Sequence, residues 1–114
     1  MEIEDFSFGR IVVDGVAYTS DIKIIGGKVI AGWWRKNGHK VEIEDIQEMI
    51  DAPPEVLVIG KGEPGLMTAS ASLRQLLKSY EIELIEEKTI KAVQTFNRLS
   101  QAGKTVFAGF HVGC

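Results

Sequence analysis

One cysteine and two histidines in 114 residues leave several chemistries with little material. A lone cysteine, Cys114, cannot form an intramolecular disulfide framework, and with so few histidines it cannot complete a closed zinc site. Basic charge is not in excess. A formal net charge of −3 works against sequence-independent binding to a phosphate backbone, so no nucleic-acid partner is expected. Clearly apolar runs such as Val56 to Gly60 fall far short of the roughly 20 residues that span a bilayer, so no membrane partner is expected either. Repeats and low-complexity tracts are missing, which excludes solenoids and disordered tails. The start, Met1-Glu2-Ile3-Glu4-Asp5, is acidic, unlike a signal or transit peptide, and points to a cytoplasmic protein.

What is present is the composition of one ordinary globular domain, residues 1–114, with 45% hydrophobic and 25% charged residues. Arg10–Val13 and Val16–Tyr18 flank Asp14-Gly15, a pair that tolerates the positive φ angles of a tight hairpin turn. Ile22–Ile25 and Lys28–Ala31 flank Gly26-Gly27 in the same way. The period then changes: Ile43, Ile46, Met49 and Ile50 share a helical face, acids crowd its start, and Pro53-Pro54 ends it. Glu55–Gly60 reads as a strand apolar on both faces. Ser70–Tyr80 reads as a helix with a Leu73, Leu76, Leu77, Tyr80 stripe. A short strand at Ile82–Ile85 follows, then a helix capped by Thr89, striped by Ile90, Val93, Phe96 and Leu99 and stopped by Gly103. Lys104–His111 reads as the last strand. This order predicts an α/β domain with a mixed central sheet, N-terminal β-hairpins followed by a βαβαβ unit, and parallel strands joined by right-handed crossovers.

Three constellations carry candidate chemistry. Gly60, Gly62 and Gly65 fit the G-x-G-x-x-G spacing that lets backbone N–H groups approach a pyrophosphate, and Glu86 and Glu87 lie near the end of the next strand. Against that, Glu63 brings negative charge, Pro64 lacks an N–H, and the acids come later than the usual ~20 residues. A tight strand-to-helix turn explains the glycines better, and no cofactor is expected. His111 and Cys114 could be a base and its nucleophile, or metal ligands with His39 as a third. Residues three apart on a strand face opposite ways, however, so a strand-end histidine is the simpler account. Trp33, Trp34 and Arg35, with His39 and Lys40 nearby, combine aromatic surface with positive charge. One tryptophan is expected in the core and the other half exposed as a protein-contact anchor. Asp21 and Asn97 could line a polar pocket, and turn or helix-surface roles explain them equally well.

With these residues in view, the chain resembles a small conserved domain of unknown biochemical function. That family includes the adipogenesis-associated protein of animals and a mitochondrial assembly factor of respiratory complex I. Phe8-Gly9, Asp14-Gly15 and Tyr18 are similar to its opening, and Asp21-Ile22, Trp33-Trp34-Arg35 and Gly38-His39 to its second block. Glu55 through Gly62 resembles its strand ending in G-x-G. Ala92 through Lys104 resembles its last helix and exit, and His111-Val-Gly-Cys114 its terminus, with Gly113 where threonine is commoner. The resemblance implies a three-layer fold and supplies no established reaction or cofactor. The resulting expectation is a non-enzymatic assembly or regulatory domain that binds another protein. The alternative is a small-molecule-binding protein or enzyme with a cleft near Gly60–Gly65 and His111.

Overall fold

The computed structural model describes residues 1–113. The hairpin patterns of the first third become strands. β1 (Ile3–Ser7), β2 (Arg10–Val13) and β3 (Val16–Tyr18) form an antiparallel three-stranded sheet, while β4 (Ile22–Ile25) pairs antiparallel with β5 (Lys28–Ala31). At both hairpin tips the two turn residues have positive φ: 47° and 80° at Asp14-Gly15, 56° and 78° at Gly26-Gly27. That is the twist a two-residue turn needs to match its strands.

β6 (Lys40–Val41) leads into a 3₁₀ turn at Ile43–Ile46 and the short α1 (Gln47–Asp51). A single helix was the simpler expectation here. The first turn tightens because the Glu42 N–H donates to the Asp45 carboxylate at 2.8 Å while the Asp45 N–H returns to the Glu42 carbonyl at 3.0 Å. β7 (Val56–Gly60) is buried at every residue, as a strand covered on both faces must be. β8 (Thr68–Ala69) pairs parallel with β6, and Ser70 then caps α2 (Ala71–Ser79) by accepting the Leu73 N–H at 3.1 Å. β9 (Glu83–Glu87), α3 (Thr89–Gln101) and β10 (Val106–Phe110) complete the chain.

The central sheet runs β5-β4-β10-β7-β9. β7 is parallel to both β9 and β10, and β10 is antiparallel to β4, which makes the sheet mixed and fixes the direction of the final strand. One face packs Ile22, Val58, Ala108 and Phe110 against Phe96 of α3 and against Phe6 and Ile11 of the small sheet. The other packs Leu57, Ile59 and Phe107 against Met49, Leu73, Leu77 and Trp33. Three layers result.

Two details of α3 differ from the sequence reading. Thr89 is its first helical residue and not its cap. Ile90 is half exposed, because the buried stripe is Thr89, Ala92, Val93 and Phe96, the i, i+3, i+4, i+7 spacing set by the sheet beneath. Asn97 ties this helix to the small sheet: its Oδ1 accepts the Ile3 N–H at 2.9 Å and its Nδ2 donates to the Ile3 carbonyl at 2.8 Å. Asn97→Ala should therefore cost about 1–3 kcal/mol in urea unfolding, since both Ile3 groups lose a partly buried partner. A change under about 0.5 kcal/mol would mean that water replaces the amide at no cost.

Candidate functional site

In open α/β sheets the carboxyl ends of parallel strands are where side chains from separate segments converge. β7 ends at Gly60 and β10 at Phe110, which stand opposite each other, and Ile22 of antiparallel β4 begins beside Phe110. Asp21 and His111, distant in sequence, are thereby brought together. The Asp21 Oδ2 lies 2.8 Å from His111 Nδ1 and accepts from Arg35 Nη2 at 2.7 Å, while Oδ1 accepts the Val112 N–H at 2.8 Å. Arg35 Nη2 also donates to the Gly38 carbonyl at 2.9 Å, and the guanidinium carbon stacks 4.4 Å from the centre of the Trp33 ring. The Trp33 N–H donates in turn to the Asp21 carbonyl at 3.0 Å.

The Arg35 side chain is only 4% exposed, so its charge is carried inside the protein. Burial, the largest single influence on Asp21, pushes its carboxyl up. The Val112 N–H, the Arg35 guanidinium and the His111 ring together outweigh that and hold it below the ordinary carboxylate range. An ionised carboxylate only accepts, so the proton between them sits on His111 Nδ1. Two polar atoms of the cluster are buried without a hydrogen-bond partner: Arg35 Nη1 and His111 Nε2.

The segment His111–Gly113 acts as a strap. The His111 N–H donates to the Gly60 carbonyl at 2.9 Å, and its carbonyl accepts the Thr89 hydroxyl at 2.6 Å. The Gly9 N–H reaches the Val112 carbonyl at 2.7 Å, and the Glu63 N–H reaches the Gly113 carbonyl at 3.0 Å. Thr89 had signalled only a helix start; its hydroxyl also accepts the Gly62 N–H at 2.8 Å.

These bonds decide the glycine loop. The Lys61 N–H goes to the Glu87 carbonyl at 2.8 Å, and those of Gly62 and Glu63 are taken by Thr89 and Gly113, so these three N–H groups are committed within the protein and not free for a pyrophosphate. β8 separates the loop from α2, whose N-terminus opens only at Ala71. Glu86 accepts the Ala69 N–H at 2.8 Å and pairs with Arg74, while Glu87 accepts the Thr95 hydroxyl at 2.6 Å. The glycines serve close packing. A Cβ on Gly60 would stand 2.6 Å from the Phe110 ring, and one on Gly65 would stand 3.2 Å from Lys88.

Of the other sequence candidates, Trp33 is buried, with a Gly109 that leaves room for its ring, and Trp34 is exposed. They sit in the segment after β5, and Arg35 is part of the interior. His39 is exposed and meets the His111 ring edge-on at 5.8 Å. Cys114, the proposed partner of His111, lies outside the described residues. His111 Nδ1 engages the Asp21 carboxylate and is no part of a metal set among the described residues. Among the described residues, no cluster of three or more His, Cys, Asp or Glu could hold a metal, and no helix is long and apolar enough to cross a membrane. Two surface cavities, about 380 and 190 Å³, lie between β1 and α3 and beside Gly26-Gly27; neither reaches His111 or the glycine loop. Asn97 lines the first, with its amide already committed to Ile3. Lys23 went unnoticed in the sequence: it is buried, with Nζ 2.8 Å from the Glu48 carboxylate.

Solved structures share this arrangement. A protein designated MT938 is 27% identical with a TM-score of 0.82, covering 99% of this chain and 98% of that one. The conserved hypothetical protein PH1505 from Pyrococcus horikoshii OT3 is 25% identical, TM-score 0.81, with both chains fully covered. A protein from Bartonella henselae, described as an outer membrane protein, is 25% identical, TM-score 0.83, covering 98% and 94%. The family model described as a protein of unknown function (DUF498/DUF598) matches residues 3–111, and the chain belongs to that family.

Proposed function

We propose that this chain is a cytosolic protein-interaction domain whose contact face surrounds Trp34 at the carboxyl end of the central sheet. The observation that carries this is the setting of Trp34, 77% exposed between two buried neighbours. Trp33 is fixed through its N–H to Asp21 and Arg35 through its guanidinium, so the backbone is held and the indole stands in water. A large apolar side chain held rigidly loses little entropy on binding, which is the economy of an interface anchor. Phe8, 66% exposed, and Leu66, 53% exposed, sit on loops tied to the same His111–Gly113 strap through Gly9 and Glu63. Lys36, Lys40 and Lys88 are exposed around this end, which favours a partner with an acidic surface. The acidic, cysteine-poor composition supports the cytosolic setting.

Trp34→Ala tests this. Stability should stay within about 0.5 kcal/mol, because little packing is lost. A partner captured from native lysate and then purified should lose about 2 kcal/mol of affinity, roughly 30-fold in Kd by titration calorimetry. If every captured protein binds wild type and Trp34→Ala equally, the face is not the interface.

A further inference from the structure

We infer that the Arg35–Asp21–His111 cluster is a binding site for a small oxyanion, held between Arg35 Nη1 and His111 Nε2. Folded proteins rarely bury a polar side-chain atom without a partner, and each such case calls for a ligand, an ion or a water. Here two such atoms occur in one cluster, on side chains that both contact Asp21 Oδ2, at 2.7 and 2.8 Å. Their directions are therefore fixed before any ligand arrives. The Trp33 ring covers one face of the guanidinium and leaves its edge as the recognising surface, the geometry with which arginine takes carboxylate and phosphate oxygens.

Hydrogen bonding sets the class of ligand. Arg35 Nη1 is a donor, and His111 Nε2, with the ring proton committed to Asp21 at Nδ1, is an acceptor. The ligand must therefore offer an oxygen to the first and an O–H to the second. A hydrogen-bearing oxyanion such as monohydrogen phosphate does both, donating O–H to Nε2 while another oxygen accepts from Arg35. A fully ionised one, such as acetate, has no O–H to give. The charged and titratable groups around the ring are Asp21, Arg35 and the edge-on His39, with Lys61 and Glu63 flanking Gly62 on the loop that packs against it. Neither open nitrogen reaches solvent, so the ligand is small and the strap and loop must part to admit it. A free ion and the terminal group of a metabolite offer the same chemistry.

The test is NMR of the imidazole nitrogens in the full chain, titrated with inorganic phosphate, methyl phosphate and acetate against chloride at equal ionic strength. Inorganic phosphate should move His111 Nε2 saturably below about 10 mM and raise the melting temperature. Equal response to methyl phosphate assigns an esterified ligand, and response to inorganic phosphate alone a free ion. Acetate, which has no O–H for Nε2, should bind at least about tenfold more weakly than inorganic phosphate, and equal affinity would overturn the assignment. Arg35→Lys, which keeps the charge and loses the planar donor, should weaken phosphate at least about tenfold, as should His111→Gln. Trp34→Ala should bind phosphate normally, which separates this site from the protein-contact face. No saturable movement of Nε2 with any of the three anions, or equal binding by Arg35→Lys and His111→Gln, would overturn the assignment and leave water as the occupant.

Discussion

Asp21→Ala is expected to destabilise the protein by about 3–5 kcal/mol, because it leaves the buried Arg35 charge without its carboxylate. The melting temperature should fall by roughly 10 °C or more for a domain of this size. The same substitution releases the Val112 N–H and His111 Nδ1, so the strap loosens along with the ion pair. A double variant, Asp21→Ala with Arg35→Met, should recover much of the loss, since a buried pair replaced by apolar groups is often close to neutral. A single variant within about 0.5 kcal/mol of wild type would show that solvent already screens the pair. The pH dependence has a definite sign. The folded-state pKa of Asp21 lies below its ordinary value, so its contribution is fully present above about pH 4. It is lost as pH falls through the lowered folded value. Acid unfolding of wild type should therefore show a carboxylate-linked loss below about pH 4 that Asp21→Asn lacks, measured by circular dichroism.

Gly62→Ala comes next in expected size. Gly62 has φ of +87°, which costs an alanine about 1–3 kcal/mol. A Cβ there would also fall on the Gly113 carbonyl oxygen and stand 2.6 Å from His111 Cδ2, and overpacking of that kind costs about 1–3 kcal/mol more. Gly15→Ala is the control: its φ is +80° with nothing within 4 Å, so it should bear the backbone cost alone. The difference between the two, from chemical denaturation, measures how firmly the strap is seated. Equal losses would mean that the strap moves aside freely and that Gly62 matters only for its backbone.

Where the sequence carried a period, the fold was legible. The two hairpins, the βαβαβ unit and the faces of the last strand follow from alternation and turn residues, with Val106, Ala108 and Phe110 on one side and Phe107 and Gly109 on the other. β6 and β8 were not legible, because two-residue strands have no period to detect. Ile90 misled for a related reason: a helix can carry more apolar residues than it buries, and the sheet beneath chooses the phase. The site divides in the same way. Asp21, Arg35 and His111 were each singled out, but their meeting depends on β10 lying beside β4, a contact between segments about 90 residues apart that no local pattern encodes. The burial of Arg35 was not legible either, since nothing in Trp-Trp-Arg-Lys says which residues turn inward.

The position of β10 also shapes how the molecule comes into being. It lies between β4 and β7, with the hairpin half of the sheet on one side and the parallel half on the other. During synthesis both halves leave the ribosome before the strand that joins them, each with a bare edge ready to pair. Until residues 106–110 insert, β4 and β7 have no shared neighbour, and the ion pair and strap above them have no floor. Closing contacts of such long sequence separation is slow. The nascent chain therefore carries two open strand edges for longer than its modest length suggests, and that interval is when it is most exposed to aggregation and most in need of a chaperone.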